Sequence, residues 1–349
     1  MGVPLDKEKI VSIFKSNEIV FRGHPDKVAD QISARILKEC VAQDRNTRAG
    51  IEVVGGKGKI FVTGEVTTTA QINVEVIVKS VLRDVGYSDK YEVINNIGVQ
   101  SPDIAQGVDT GGAGDQGMMY GYACSDTPQL LPTAMVILQE FAKKYDFLRK
   151  ADGRFLPDGK AQITGEYDTD GTLIRIRDFT ISYQNTEKQR KVTDKILKNL
   201  ATDICNTYGI SEIQRFHINP TGKFLIGGFE GDAGLTGRKI VVDAYQGFAN
   251  VGGGCQNGKD ATKVDFSASH MARKLACECL TKLSLKWCEV QLSYAIGIDT
   301  PLAIYIKSDR GNITPGKNLY RRCTPKNMIE ELGLLDIDYE ELAKFGHYR

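Results

Sequence analysis

Gly23-His24-Pro25-Asp26-Lys27 is followed by Val28, Ile32, Ile36, Leu37 and Val41, apolar residues at the spacing of one helix face. Proline suits the first helical position, because the N–H it lacks has no partner there. The motif therefore stands at a helix N-terminus. His24 and Asp26 lie beside unpaired N–H groups and a partial positive charge, an end that favours bound phosphate or carboxylate. Downstream, Gly50–Val54 and Lys59–Val66 read as strands joined through Gly55-Gly56-Lys57-Gly58, a hairpin signal. Val74, Ile77, Val78, Val81 and Leu82 predict a helix ending near Gly86, and a strand follows over Glu92–Ile97. Paired strands, a helix and a further strand make one unit.

Outward from this unit the pattern recurs. A second stretch predicts a helix at Ala134–Phe147, strands at Gln162–Tyr167 and Leu173–Tyr183, a helix at Val192–Thr207 and a strand near Phe216–Asn219. The third predicts a strand at Lys239–Ala244, a helix at Ser267–Leu283, and strands at Glu289–Ile298 and Leu302–Lys307. The match is in pattern and not in residue identity, so it reads as a weak internal repeat in an α+β chain of three packed modules. Their bounds are 14–103, 112–225 and 227–349. Residues 1–15 read as a short helix or an arm, and Gln106 to Gly117 as a Gly/Asp-rich loop over a ligand.

Composition narrows the function classes. With 45 Lys+Arg against 44 Asp+Glu, the net charge of +1 provides no global field for nucleic acid or an anionic membrane. Apolar runs fall short of a membrane span, and Met1 to Lys15 lacks a signal-peptide core, so a soluble cytoplasmic protein is expected. The eight cysteines show no paired C-x-x-C spacing. Only His24, His217, His270 and His347 are available as imidazoles.

The 36 glycines cluster, most densely in Gly252-Gly253-Gly254-Cys255-Gln256-Asn257-Gly258-Lys259-Asp260-Ala261-Thr262-Lys263-Val264-Asp265. Glycines expose backbone N–H groups, and the lysines and aspartates around them suit a polyphosphate and its metal. A solvated turn is the plainer reading of this stretch alone. His24, Lys27, Lys160, Arg238, Lys239, Lys259 and Lys263 are the candidate anion-binding groups, Lys160 having the least local support. Arg238-Lys239 follows a turn that would present both cations at the head of a strand. Asp26 and Asp265 are candidate Mg²⁺ ligands, since Mg²⁺ needs only one or two carboxylates beside water and phosphate. Helix capping would account for both equally. The spacing from Gly254 to Gly258-Lys259-Asp260 does not fit a P-loop, and no G-x-S-x-G elbow occurs.

Gly23-His24-Pro25-Asp26-Lys27, Gln100-Ser101-Pro102-Asp103-Ile104, Gly112-Ala113-Gly114-Asp115-Gln116-Gly117, Asn219-Pro220-Thr221-Gly222, Gly231-Asp232-Ala233-Gly234-Leu235-Thr236-Gly237-Arg238-Lys239 and Gly258-Lys259-Asp260 through Asp265 resemble the signature motifs of the S-adenosylmethionine synthetase family. They occur in the family's order from about Glu18 to the C-terminus. The resemblance implies three similar modules in a pseudo-threefold arrangement. It also implies S-adenosylmethionine formation from ATP and L-methionine, with release of phosphate and diphosphate and with two Mg²⁺ and K⁺. The substrate sulfur is the nucleophile in that reaction, so the protein needs positioning and charge stabilisation instead of a catalytic Ser or Cys.

Carried over on the same resemblance, His24 would stabilise the leaving triphosphate near O5′. Lys160, Arg238, Lys239, Lys259 and Lys263 would bind its phosphates, Asp26 and Asp265 the Mg²⁺ ions, and Glu52 the K⁺. Glu65, Gln100 and Asp115 match methionine-binding positions. Phe224 is similar to the aromatic that stacks on adenine, Asp232 would support the nucleoside, and Asp158 joins the substrate-binding set. The family's sites form at the interface of a homodimer, with a dimer of dimers as a further option.

This chain departs from the pattern at several places. It has Phe21-Arg22 where the family has Ser-Glu, a base in place of an acid beside the triphosphate site. Cys255-Gln256-Asn257 replaces Ala-Phe-Ser, Phe266-Ser267 replaces Arg-Ser after Asp265, Ser182-Tyr183-Gln184-Asn185 replaces Ser-Thr-Gln-His, and the 106–114 loop is short. These changes keep two alternatives open: a catalytically weak homologue acting as a nucleotide-binding or regulatory subunit, and an enzyme limited to tripolyphosphate hydrolysis.

Overall fold

A computed structural model describes residues 13–100, 111–169 and 171–348. The motif residues Ser101-Pro102-Asp103-Ile104 and the start of the 106–117 loop lie outside the described residues. The fold is α+β, with three four-stranded sheets. The first sheet comprises β2 (Arg48–Gly56), β3 (Lys59–Thr67), β4 (Glu92–Gly98) and the short β9 (Gly234–Leu235), in the order β4-β3-β2-β9. In the second, β1 (Ile13–Val20), β6 (Phe155–Tyr167), β7 (Leu173–Asn185) and β8 (Ile213–Ile218) run in sequence order. The third orders β12 (Gly311–Ile313), β11 (Ala303–Ser308), β10 (Trp287–Tyr294) and β5 (Gly117–Cys124).

In the first two sheets a hairpin is followed by a helix that returns the chain to a parallel strand, β3 to β4 and β7 to β8. The third sheet ends instead on the antiparallel β12, reached through the tight Ser308–Gly311 turn. Each sheet also takes its fourth strand from a different part of the chain. β1 pairs with β6, β5 with β10, and β9 with β2. This cyclic exchange positions the functional motifs. It sets Val20 opposite Lys160, and Val54 opposite Leu235, so that two distant segments flank the turn entering α1 (Pro25–Gln43).

Each sheet is covered by helices. Val28, Ile32, Ile36 and Leu37 of α1 pack with Val78 and Leu82 of α2 (Val74–Val85) on β2 and β3. Phe141 and Leu138 of α3 (Thr133–Ala151) and Leu197 and Ile204 of α4 (Arg190–Thr207) cover the second sheet. On the third, Met271 and Leu275 belong to α6 (Val264–Leu283). A fully buried side chain of this kind contributes roughly 1.5–3 kcal/mol by leaving water. A Cβ at Gly121 would stand 1.9 Å from the Ala272 carbonyl carbon, so only glycine lets the α6 backbone rest on β5. No helix among the described residues is long and apolar enough to cross a membrane.

Three expectations need correction. From Ile13 onward the N-terminal stretch is a strand, paired along β6 from Ile13–Tyr167 to Val20–Lys160, and not a helix or arm. The strand expected at Lys239–Ala244 is the short helix α5 (Ile240–Asp243). Its β-branched run signals a strand, but the helical turn places Asp243 in the core against Lys27, and tertiary packing overrides the local preference. The strand expected to run to Ile298 ends at Tyr294.

Candidate active site

The residues single out two clusters. The first is built where the strand exchange brings β1 and β9 to the start of α1. His24 is its N-cap and accepts the Asp26 N–H on Nδ1 at 3.2 Å, which leaves the ring proton on Nε2. Burial, with the charges of Lys239, Lys160 and Lys27, pushes the imidazole down to about 3, against a smaller upward pull from Asp26. His24 is therefore a neutral hydrogen-bond donor at neutral pH. Asp26 has no exposed surface. It accepts from Leu235 N at 3.0 Å, Arg238 Nε at 2.7 Å and Lys239 Nζ at 2.6 Å. Burial alone would raise this carboxyl, but the hydrogen bonds from Lys239 and Arg238 hold it below the ordinary range. Lys160 is exposed on β6, close enough to His24 to act on its titration.

Lys27 does not belong to this cluster, contrary to its grouping with the anion-binding residues. It is fully buried, paired with Asp243 and 3.2 Å from Asp30 Oδ2. Burial pushes the Asp30 carboxyl up to about 6, with Lys27 pulling it down and Asp243 adding to the rise. Asp30 Oδ1 also accepts Gly237 N at 3.0 Å, and Asp243 ends the helix that follows Lys239. Lys27, Asp30 and Asp243 thus brace the Gly237-Arg238-Lys239 turn from below. Nothing in the local sequence marked Asp243 for this work.

Arg22, expected as a base beside the triphosphate, is engaged away from the candidate anion-binding cations. Its Nε donates to Gln31 Oε1 at 2.7 Å, and its other nitrogens lie 3.9 Å from Asp146 and 4.0 Å from Glu340. Phe21 stacks on Tyr145 with centroids 4.3 Å apart. The pair is an aromatic anchor and a buried cation in an acidic environment.

The second cluster grows from the glycine-rich stretch. Lys259 pairs with Asp265, and Lys263 Nζ donates to Asp260 Oδ2 at 2.8 Å. Asp260 is buried and accepts the Ala49 N–H at 2.7 Å, tying the loop to β2. Its Asx turn to Thr262 N, at 2.8 Å, is encoded locally by Asp260-Ala261-Thr262. A Cβ on Gly254 would lie 2.1 Å from the Asp265 carboxyl, so that glycine is the seat of the carboxylate. The expected helix start at Ser267 moves to Val264, which makes Asp265 a first-turn residue. A cavity of about 170 Å³ is walled by Glu65, Gln100, Asp115, Lys259, Lys263 and Asp265 among others, and by none of His24, Asp26, Arg238 or Lys239.

The remaining candidates lie around the first cluster or between the two. Glu52 is hydrogen-bonded to Thr236, two residues before Arg238. Asp158 accepts Gly228 N at 2.8 Å, and burial pushes its carboxyl up to about 6. Asp232 is exposed and adds to that upward push. Phe224 is half-buried, its carbonyl accepting Asn185 N at 2.9 Å. Among the described residues, no group of three or more His, Cys, Asp or Glu could alone hold a metal.

Three family models match consecutive parts of the chain: the N-terminal domain of S-adenosylmethionine synthetase over residues 12–103, the central domain over 110–224, and the C-terminal domain over 226–349. The chain belongs to the S-adenosylmethionine synthetase family. Curated relatives described as S-adenosylmethionine synthase, from two strains of Staphylococcus epidermidis, are 37% identical over 366 aligned positions. The alignment covers 95% of this chain and 92% of each relative. Against the S-adenosylmethionine synthetase pattern, the substituted positions are accounted for differently. Gln256 donates to the Tyr348 hydroxyl at 3.3 Å, and the Cys255 thiol donates to Asn257 O at 3.5 Å. Tyr183 bonds Asp194 Oδ1 at 2.8 Å. These contacts, one local and two to residues further along the chain, give the substituted side chains polar partners.

Proposed function

We infer that the chain makes S-adenosylmethionine from ATP and L-methionine, releasing phosphate and diphosphate. The observation that carries the reading is the buried Asp26 carboxylate with Arg238 and Lys239 on its two oxygens, next to a neutral His24. These charges neutralise one another when no substrate is bound. A triphosphate with its cation offers each of them an opposite partner, so the ammonium and guanidinium groups can turn to phosphate without leaving a buried charge alone.

The methionine sulfur attacks ribose C5′, the S–C5′ bond forms as C5′–O5′ breaks, and the electron pair leaves on the tripolyphosphate. His24 Nε2–H donates to the oxygen that gains charge. Lys160, Arg238, Lys239, Lys259 and Lys263 spread that charge over the phosphates, which then undergo hydrolysis in place. One such preorganised donor contributes on the order of 10²–10³ in rate. Glu65, Gln100 and Asp115 hold methionine, while Phe224, Asp158 and Asp232 hold the nucleoside.

Asp26 and Asp265 fit Mg²⁺ that arrives with the phosphates, because hard cations take one or two carboxylates and complete their shell with phosphate and water. Bound Mg²⁺ would neutralise phosphate charge, and K⁺ would lie at Glu52, beside Thr236. The two clusters point to a homodimer in which each site joins the His24 cluster of one copy to the Lys259 cluster of the other. Exposed Val54, Ile94, Leu235 and Met118 supply apolar surface for such an interface. The cytoplasm, where ATP and methionine meet, is the compartment of this reading.

Incubation of purified protein with ATP, methionine, Mg²⁺ and K⁺ tests the assignment. Adenosylmethionine is expected, and yield no higher than that of a Lys259→Ala control rejects it. Arg22 is engaged with Gln31, Asp146 and Glu340, which supports an active site over the weak homologue on the Phe21-Arg22 departure, and the product assay decides the Cys255–Asn257 departure.

A further inference from the structure

All eight cysteines are free thiols, and they are not alike. Burial pushes Cys40, Cys124, Cys205, Cys255, Cys277 and Cys323 up, so each keeps its proton at neutral pH. A protonated thiol is a poor nucleophile. Cys279 differs. It lies half-buried in the last two turns of α6, against the fully buried Cys288 of β10. The Cys288 thiol donates to the Cys279 sulfur, and this hydrogen bond is the largest cause that pushes Cys279 down to about 7. Lys282 and Arg322 act in the same direction, against burial and Glu278. The same bond, with burial, pushes Cys288 up. One thiol is ready to ionise, and its neighbour holds a proton towards it.

Both sulfurs are held by packed structure. α6 ends at the left-handed Ser284, Leu285 N donates to Leu280 O at 3.0 Å, and the chain enters β10 at Trp287. Cys288 pairs across the sheet with Ala123 on one side and Ser308 on the other. So short a turn between helix and strand keeps the two thiols together. The acid beside them is also occupied, since Glu278 is 2.7 Å from Arg322 and 3.2 Å from Lys282. A partly ionised, accessible sulfur next to a second thiol is the arrangement that oxidation selects.

We propose that Cys279 is a peroxide-reactive thiol with Cys288 as its resolving partner, so that the third module carries a reversible oxidation site for small hydroperoxides. The Cys279 thiolate attacks the terminal peroxide oxygen. The S–O bond forms as the O–O bond breaks, and an alcohol, or water from hydrogen peroxide, leaves with a proton from solvent. The Cys288 sulfur then attacks the Cys279 sulfenic acid. The S–S bond forms, the S–O bond breaks, and hydroxide departs as water with the Cys288 proton. Two thiols lose two electrons and the peroxide gains them. A dithiol reduces the disulfide again. This site is separate from the proposed reaction: Asp265 is in the first turn of α6, and at roughly 1.5 Å per residue Cys279 lies about 21 Å further along the helix.

The test is a site-resolved map. Intact protein, reduced and freed of reductant, is treated with a small excess of hydrogen peroxide, blocked with N-ethylmaleimide, digested and read by mass spectrometry, with fragmentation separating Cys279 from Cys277. A Cys279–Cys288 crosslink that dithiothreitol removes is expected, forming at least about tenfold faster than oxidation at any other cysteine, because the thiolate fraction at neutral pH differs by that much. In Cys288→Ser, dimedone should label Cys279 as the sulfenic acid. In Cys279→Ser, the crosslink should vanish and Cys288 should take no dimedone. Oxidation of Cys255 or Cys277 as fast as Cys279 overturns the proposal. So does a wild-type chain that forms no Cys279–Cys288 crosslink, a result that needs neither variant to fold.

Discussion

Lys239 Nζ lies 2.6 Å from Asp26 Oδ2, although 213 positions separate the two residues in the chain. Asp26 is withdrawn from solvent and Lys239 is 17% exposed, so the pair has one buried and one accessible end. The carboxylate is the fixed point, and the cation is the member that can turn to a ligand. Asp26→Asn keeps the shape and removes the charge. We expect Mg²⁺-dependent turnover to fall at least about 10²-fold, with the Mg²⁺ requirement shifted upward. Wild-type turnover at limiting Mg²⁺ would take Asp26 out of the metal site.

Two clusters on one chain invite complementation. His24→Ala and Lys259→Ala should each be inactive alone. After the two variants are mixed, unfolded and refolded together, heterodimers should regain up to about half of the wild-type activity per dimer, because one of the two sites is then assembled from intact halves. A mixture as inactive as its parents would show that both clusters serve the same site within one chain.

A side chain at Gly254 should displace Asp265. A methyl group there meets the Asp265 carboxyl at 2.1 Å, and the helix start cannot retreat because Val264 is in the core. Gly254→Ala is expected to lower turnover at least about tenfold through a displaced Asp265, while the melting temperature moves by only a few degrees. Unaltered kinetics would mean that Asp265 has room the structure does not show.

Arg22 gives the opposite separation. Arg22→Met leaves Asp146 and Glu340 short of a cation in a buried setting, so stability should fall by roughly 1–3 kcal/mol. The Michaelis constant for ATP should hold, because Arg22 is engaged with Gln31, Asp146 and Glu340 and not with the Asp26 cluster. Denaturant unfolding and steady-state kinetics on the same sample decide the matter. A raised ATP requirement with unchanged stability would restore Arg22 to the triphosphate site.

Asp158 carries a pH signature. Its folded carboxyl is pushed up to about 6 by burial, above an unfolded value near 3.9. Between those values the folded state binds more protons than the unfolded chain, so this group costs stability as pH rises through the window, and the full cost is present above about 6. Asp158→Asn can still accept the Gly228 N–H and removes the titration. The variant should therefore gain melting temperature relative to wild type at pH 8 and lose that advantage at pH 4. An advantage that does not change with pH would contradict the shift.

Much of the molecule could be read from its residues. The apolar spacing after Pro25 predicted α1, Gly86 marked the end of α2, and the motifs identified the charged set, because helix periodicity and glycine signals act over a few residues. The residues alone named a candidate charged set and showed helices and strands alternating in three units. Their company is set by long-range packing. The exchange of β1, β5 and β9 between sheets depends on hydrogen bonds between segments more than a hundred residues apart, which no local pattern encodes. That exchange puts Arg238 and Lys239 on Asp26 and buries Lys27 between Asp30 and Asp243. It also leaves Arg22 pointing at Asp146 and Glu340. Charge was visible in the chain, but direction was not, because the facing of a side chain is set by what packs behind it.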